Sequence, residues 1–118
     1  MKSTKNNEAN KDYLGEWKDG VKEGLGIEYH IDGAFNEGEF KNDKINGKAI
    51  YHLTNGDRYE GEIVNNLSNG RGIFYRRNGD WEQGEWINSQ RYGRFLYHYA
   101  DGKTERRIYD FDKLIKKE

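Results

Sequence analysis

The sequence predicts an all-β repeat protein: a single-layer antiparallel β-meander of about eight strands, built from 23-residue hairpin units and closed by a short C-terminal helix or cap. Three observations predict it. Glycines fall at 15, 38, 61 and 84, at 24, 47, 70 and 93, and at 33, 56, 79 and 102, so twelve of the fifteen obey one period. Such a fixed period marks stacked copies of one supersecondary unit. The third set is preceded each time by Asp or Asn (Asp32, Asn55, Asn78, Asp101), and Asp-Gly and Asn-Gly suit two-residue type I′ hairpin turns. Between the turns lie period-2 segments rich in aromatic and branched residues, such as Gly72-Ile73-Phe74-Tyr75.

Taken in order, residues 1–11 hold no apolar run and read as a disordered tail without a secretory signal. Residues 12–104 form the array, divided as 13–35, 36–58, 59–81 and 82–104. Each unit carries one glycine turn, and polar links (KDGVKE, KNDKIN, VNNLSN, INSQRY) return the chain to the next strand. Residues 105–118 read as a capping strand, with Glu105, Arg106 and Arg107 blunting the edge, followed by a helix over DKLIKKE.

Composition narrows the function. With 118 residues the chain has room for one small domain. Twenty basic and 21 acidic groups nearly cancel, which argues against a nucleic-acid partner. The absence of cysteine removes disulfides, thiolate metal sites and a cysteine nucleophile. His52 and His98 share a repeat position two units apart, roughly 19 Å along a sheet, so the histidines do not make a metal site. The column Glu16, Glu39, Glu62 and Glu85 is periodic, which reads as a solvated polar face and not as a catalytic pair. Gly24-Leu25-Gly26 and Gly70-Arg71-Gly72 lack the helix and the Lys-Ser/Thr of a phosphate loop. No enzyme and no cofactor are implied, and the default location is cytoplasmic.

The run Tyr59-Glu60-Gly61-Glu62-Ile63, then Asn69-Gly70-Arg71-Gly72-Ile73-Phe74-Tyr75 and Asn78-Gly79-Asp80, resembles the MORN repeat. So does Tyr13-Leu14-Gly15-Glu16-Trp17 with Glu23-Gly24-Leu25-Gly26, and the resemblance covers residues 13–104 as four repeats. The pattern departs at Asn36 and Glu82, where Tyr is expected, and at Ala49 and Phe95, where Gly is expected. The resemblance implies a non-enzymatic scaffold in a larger assembly, associated with cytoskeleton, cilium or membrane.

Two-residue turns pair residues around Asn55-Gly56 with indices summing to 111, which sets Ile27, Ile50 and Ile73 opposite Gly38, Gly61 and Gly84. One face then becomes an apolar trough, and exposed apolar surface of that size points to a partner. The anchors expected in this aromatic groove, for a protein or peptide, are Trp17, Tyr29, Phe40, Tyr59, Tyr75 and Trp86. The alternative is that twist buries the trough, or that the tail's Ile108, Phe111, Leu114 and Ile115 cover it. A second reading is peripheral binding of anionic phospholipid headgroups by Lys41, Lys44, Arg76 and Arg77.

Overall fold

The structure, a computed structural model, describes residues 2–6 and 12–118. Eleven strands follow one another: β1 (Lys2–Asn6), β2 (Asp12–Lys18), β3 (Val21–Tyr29), β4 (Phe35–Lys41), β5 (Lys44–His52), β6 (Arg58–Val64), β7 (Leu67–Tyr75), β8 (Trp81–Ile87), β9 (Gln90–His98), β10 (Thr104–Asp110) and β11 (Lys113–Lys117). They make one sheet in sequence order, and every neighbouring pair is antiparallel. The meander is therefore as predicted, with eleven strands in place of about eight. The molecule measures 50 × 23 × 21 Å. Ten strand spacings account for a long axis of roughly 48 Å, whereas a flat layer of these strands would be far wider than thick. The near-equal short axes follow from the twist that accumulates over the strands, and the burial of one face alone shows that the layer also curls.

Three terminal features differ from expectation. Lys2–Asn6 pairs with β2 as a strand, because the edge of β2 offers unpaired backbone groups; the rest of the expected tail, 1 and 7–11, lies outside the described residues. No C-terminal helix forms. Phe111 and Asp112, both at positive φ, turn the chain back, and Lys113–Lys117 pairs with β10. So short a segment cannot nucleate a helix alone, and the open edge of β10 supplies a ladder instead. Nor does the tail cover the sheet, since Phe111, Leu114 and Ile115 are all exposed.

The glycine turns are not the two-residue type I′ turns that the sequence predicts. At the Asp-Gly and Asn-Gly sites only the glycine has positive φ. His30 N–H donates to Ala34 O (2.9 Å) and Gly33 N–H to His30 O (3.1 Å), which makes a three-residue loop: a type I turn followed by a left-handed glycine. The cause is the side chain before glycine. Asp32 Oδ1 accepts the Ala34 N–H at 2.9 Å, and Asn55, Asn78 and Asp101 bond the backbone two residues on in the same way, holding each in an Asx turn. The type I′ turns lie in the polar links, where Asn42-Asp43, Asn65-Asn66 and Asn88-Ser89 have both residues at positive φ.

One added loop residue shifts the register by one and changes which residues share a face. Gly26 faces Gly38, Ala49 faces Gly61 and Gly72 faces Gly84, while Ile27, Ile50 and Ile73 face Glu37, Glu60 and Gln83. Aromatic and isoleucine columns thus part to opposite sides. A bulge in each of the first three units, between Gly15/Trp17, Gly38/Phe40 and Gly61/Ile63, bends the strands and deepens the curl. Each bulge holds a member of the glutamate column. Glu16 accepts the Leu25 N–H (2.7 Å) and Glu62 the Arg71 N–H (2.9 Å), so these carboxylates tie backbone and are not merely a solvated face.

The inner side of the curl is the core: Tyr13, Phe40, Ile45, Ala49, Tyr59, Ile63, Trp86, Phe95 and Tyr109. Its rings meet edge to face, Tyr13–Phe40 at 5.0 Å, Tyr59–Trp86 at 5.3 Å, Trp86–Phe95 at 5.5 Å and Phe95–Tyr109 at 5.2 Å. Tyr13 and Tyr59 lie over glycine pairs, and their hydroxyls donate to the Glu16 and Glu62 carbonyls. Burial pushes the Tyr59 hydroxyl up from 10.0 to about 12, and Tyr13, Tyr97 and Tyr109 shift the same way, chiefly through burial. The unfolded chain releases these protons first. Stability is therefore expected to be flat at neutral pH and to fall from about pH 10 toward 12, with tyrosinate absorbance lagging a model peptide until the protein unfolds. Urea midpoints measured from pH 7 to 12 check this.

Candidate functional site: the open face

The face turned away from the core carries a row of side chains that crosses the strands. Successive cross-strand partners are Leu14, Ile27, Glu37, Ile50, Glu60, Ile73, Gln83, Leu96 and Arg106. Two adjoining hollows of about 870 and 820 Å³ follow the row, and Arg71, Gly72 and Ile73 line both, so they read as one trough. Ile27, Ile50, Ile73 and Leu96 are half-buried, and nothing else in the described chain packs over them.

A second row forms one bank, at the end of the strands near the glycine loops. Tyr29, Phe35, His52, Arg58, Tyr75, Trp81 and His98 are successive cross-strand partners. Strand spacing near 4.8 Å suits ring stacking. Phe35 stacks on His52 at 4.1 Å, the Arg58 guanidinium lies 3.9 Å from the Tyr75 ring centre, and Trp81 stacks on His98 at 3.5 Å. Glu37 and Glu60 on the floor are held by this bank, Glu37 by His52 (3.1 Å) and Glu60 by Arg58 (2.7 Å).

The six expected anchors do not form one groove. Phe40, Tyr59 and Trp86 lie in the core, 3%, 4% and 8% exposed, and Trp17 packs beside Tyr13 on that side at 5.0 Å. Tyr29 and Tyr75 lie on the open face, in the ring row. The reason is the register: the three-residue loop sends the two sets to opposite sides. The four expected lipid contacts are also separated. Lys41 and Lys44 flank a type I′ turn at one edge, Arg76 and Arg77 sit in a glycine loop at the other, and the nine residues of β5 span roughly 30 Å between the two edges. Arg76 is moreover engaged, 2.5 Å from Glu82 and over the Phe74 ring.

Sequence reasoning missed a polar cluster at the far end of the core face. Glu82, fully buried, accepts bonds from Arg76 (2.5 Å), Arg91 (3.1 Å) and the Tyr109 hydroxyl (2.8 Å). Arg91 also reaches Asp112 at 2.8 Å, and Arg107 contacts Glu105, Tyr99 and Tyr109. Hydrogen bonds from Tyr97 and from the Ala100 backbone hold the Asp80 carboxyl below its ordinary range. The usable signal was the double departure of Glu82 and Phe95 from their columns. Tyr13 and Tyr59 cover Gly15 and Gly61 on their own strands as well as Gly26 and Gly72 on the next, whereas Gly84 is covered by the Phe95 ring from the facing strand, which leaves no room for tyrosine at 82.

Comparison with protein families decides the relationship. The MORN repeat model matches residues 13–35, 37–58 and 59–81, more than half of the chain. The chain belongs to the MORN repeat family. No curated protein matches it. The matched MORN units include both tyrosine-over-glycine pairs, and the second match begins just after Asn36. Residues 82–104 continue the same strand pairing without a family match. MORN arrays are generally non-catalytic repeat scaffolds, and among the described residues no three His, Asp or Glu side chains converge as a metal site.

Proposed function

We propose that this MORN array is a non-enzymatic scaffold that holds a segment of a protein partner in the open-face trough. The observation that supports it is the apolar series Ile27, Ile50, Ile73 and Leu96, one on every second strand with Glu37, Glu60 and Gln83 between them, half-buried along the trough of a sheet whose core lies on the other face. Ordered apolar side chains on a rigid sheet offer a partner contact area at little entropic cost. The ring bank stiffens the site, because each ring is held by its neighbours. An aromatic groove built from the core residues is replaced by an isoleucine floor beside an aromatic bank. Anionic phospholipid has less support, since the four basic residues do not share a patch.

Ile50→Glu with Ile73→Glu tests the proposal. Both side chains point away from the core, so the fold is expected to survive by circular dichroism. Peptides selected by panning a display library on the wild-type protein should bind the double variant at least about 30-fold more weakly, as expected for loss of central apolar contacts. Undiminished binding would refute the trough as the site.

A further inference from the structure

The trough is electrically lopsided along its length. In the floor row the positions between the apolar residues run Glu37, Glu60, Gln83, Arg106 from the β4 end to the β10 end. The adjacent row, on the side away from the rings, runs Leu25, Lys48, Arg71, Arg94. Glutamates of the bulge column stand beside Leu25, Lys48 and Arg71, whereas Ile108 stands beside Arg94. In these two rows acid is thus concentrated over β4–β6 and base over β9–β10, where Glu85 and Glu118, the latter bonded through its backbone to Arg106, also line the hollow. At the acidic end Glu60 is paired with Arg58, and Glu37 is hydrogen-bonded to His52. At the basic end, among the described residues, no carboxylate lies within ion-pair distance of Arg94 or Arg106, and both are exposed; Arg71 has only Glu85, at 3.8 Å.

We infer that the trough binds an amphipathic α-helix in one direction, with acidic side chains of the helix over Arg94 and Arg106 and its apolar or basic end over β2–β6. This rests on the trough being the binding site. Apolar floor residues recur every second strand, roughly 9.6 Å, and one heptad of helix rises about 10.5 Å, so an apolar seam at heptad spacing keeps step with Ile27, Ile50, Ile73 and Leu96. Unpaired arginines beside an apolar floor gain most from carboxylates that arrive with a partner, while Leu14 and Leu25, 45% and 61% exposed, favour an apolar end. The eight spacings from β2 to β10 accommodate about 25 helical residues.

Two synthetic helices of about 25 residues with the same leucine seam and composition test this. One has all its glutamates in one half and its lysines in the other; in the second they alternate. Fluorescence anisotropy is read on the wild-type protein, on I50E/I73E and on R94E/R106E. The segregated peptide is expected to bind the wild type about tenfold more tightly than the alternating one. That difference should vanish in R94E/R106E, and I50E/I73E should weaken both peptides. Equal affinity of the two peptides for the wild type, or a preference that survives R94E/R106E, overturns the directional inference and leaves the trough standing. Failure of both peptides to bind the wild type, or binding unaffected by I50E/I73E, overturns the trough together with it.

Discussion

Glu82→Leu is expected to lower the free energy of unfolding by about 3 kcal/mol, read as a shifted urea midpoint with an unchanged slope. Glu82 is 0% exposed and is the shared acceptor of Arg76, Arg91 and the Tyr109 hydroxyl. Leucine fits the space, but it leaves two guanidinium groups packed against rings without their counter-charge; Arg91 lies 4.1 Å from the Tyr109 ring centre. Breaking a buried pair costs about 3–5 kcal/mol, and the lower end applies because Arg76 and Arg91 partly reach water and Arg91 keeps Asp112. Glu85→Gln is the control. Its partner Arg71 is 3.8 Å away and both side chains are largely exposed, so the change should stay within about 0.5 kcal/mol. Equal effects of the two variants would mean that the Glu82 cluster is not buried as described.

The second large effect is expected from Gly61→Ala, about 3 kcal/mol or more, through backbone overlap. A methyl group there would sit 2.5 Å from the Arg71 carbonyl oxygen and 2.5 Å from the Gly72 Cα, with the Tyr59 hydroxyl at 2.6 Å. Those atoms belong to the facing strand and to a buried ring, so β6 and β7 must separate. Overpacking usually costs about 1–3 kcal/mol, and the upper limit is appropriate when backbone has to move. Gly93→Ala separates this from simple conformational strain. Gly93 has φ +83 with open space around it, and alanine there should cost only about 1–2 kcal/mol.

Much of this fold was legible because it is periodic. The 23-residue glycine columns located each hairpin, and period-2 patterning located the strands. What the columns could not show was loop length. Asn55-Gly56 reads equally as the centre of a two-residue turn or as the end of a three-residue one, and the choice rests on whether the Asn55 side chain caps Asp57 N–H. That single hydrogen bond, repeated along the array, decides whether Tyr59 and Trp86 share a face with Ile50 or oppose it. The candidate site was therefore legible as a trough but assigned the wrong lining. Columns read singly also hid the ring row, because its members alternate between two of them: Phe35, Arg58 and Trp81 in one, Tyr29, His52, Tyr75 and His98 in the other. The Glu82 cluster was hidden for a different reason. A charged residue in an aromatic column looks like degeneration until Arg76 and Arg91, six and nine residues away, are seen to converge on it.

The column that holds Phe40, Ile63 and Trp86 points inward and the column that holds Ile27, Ile50 and Ile73, on the alternate strands, points outward. Single cysteines at Ile63 and Ile73, in a chain with no cysteine of its own, test this arrangement most directly through the rate of thiol labelling under native conditions. Cysteine at 73 is expected to react within about an order of magnitude of a free thiol, and cysteine at 63 only as fast as the protein unfolds. Comparable rapid labelling at both positions, or protection at 73 with exposure at 63, would contradict the account.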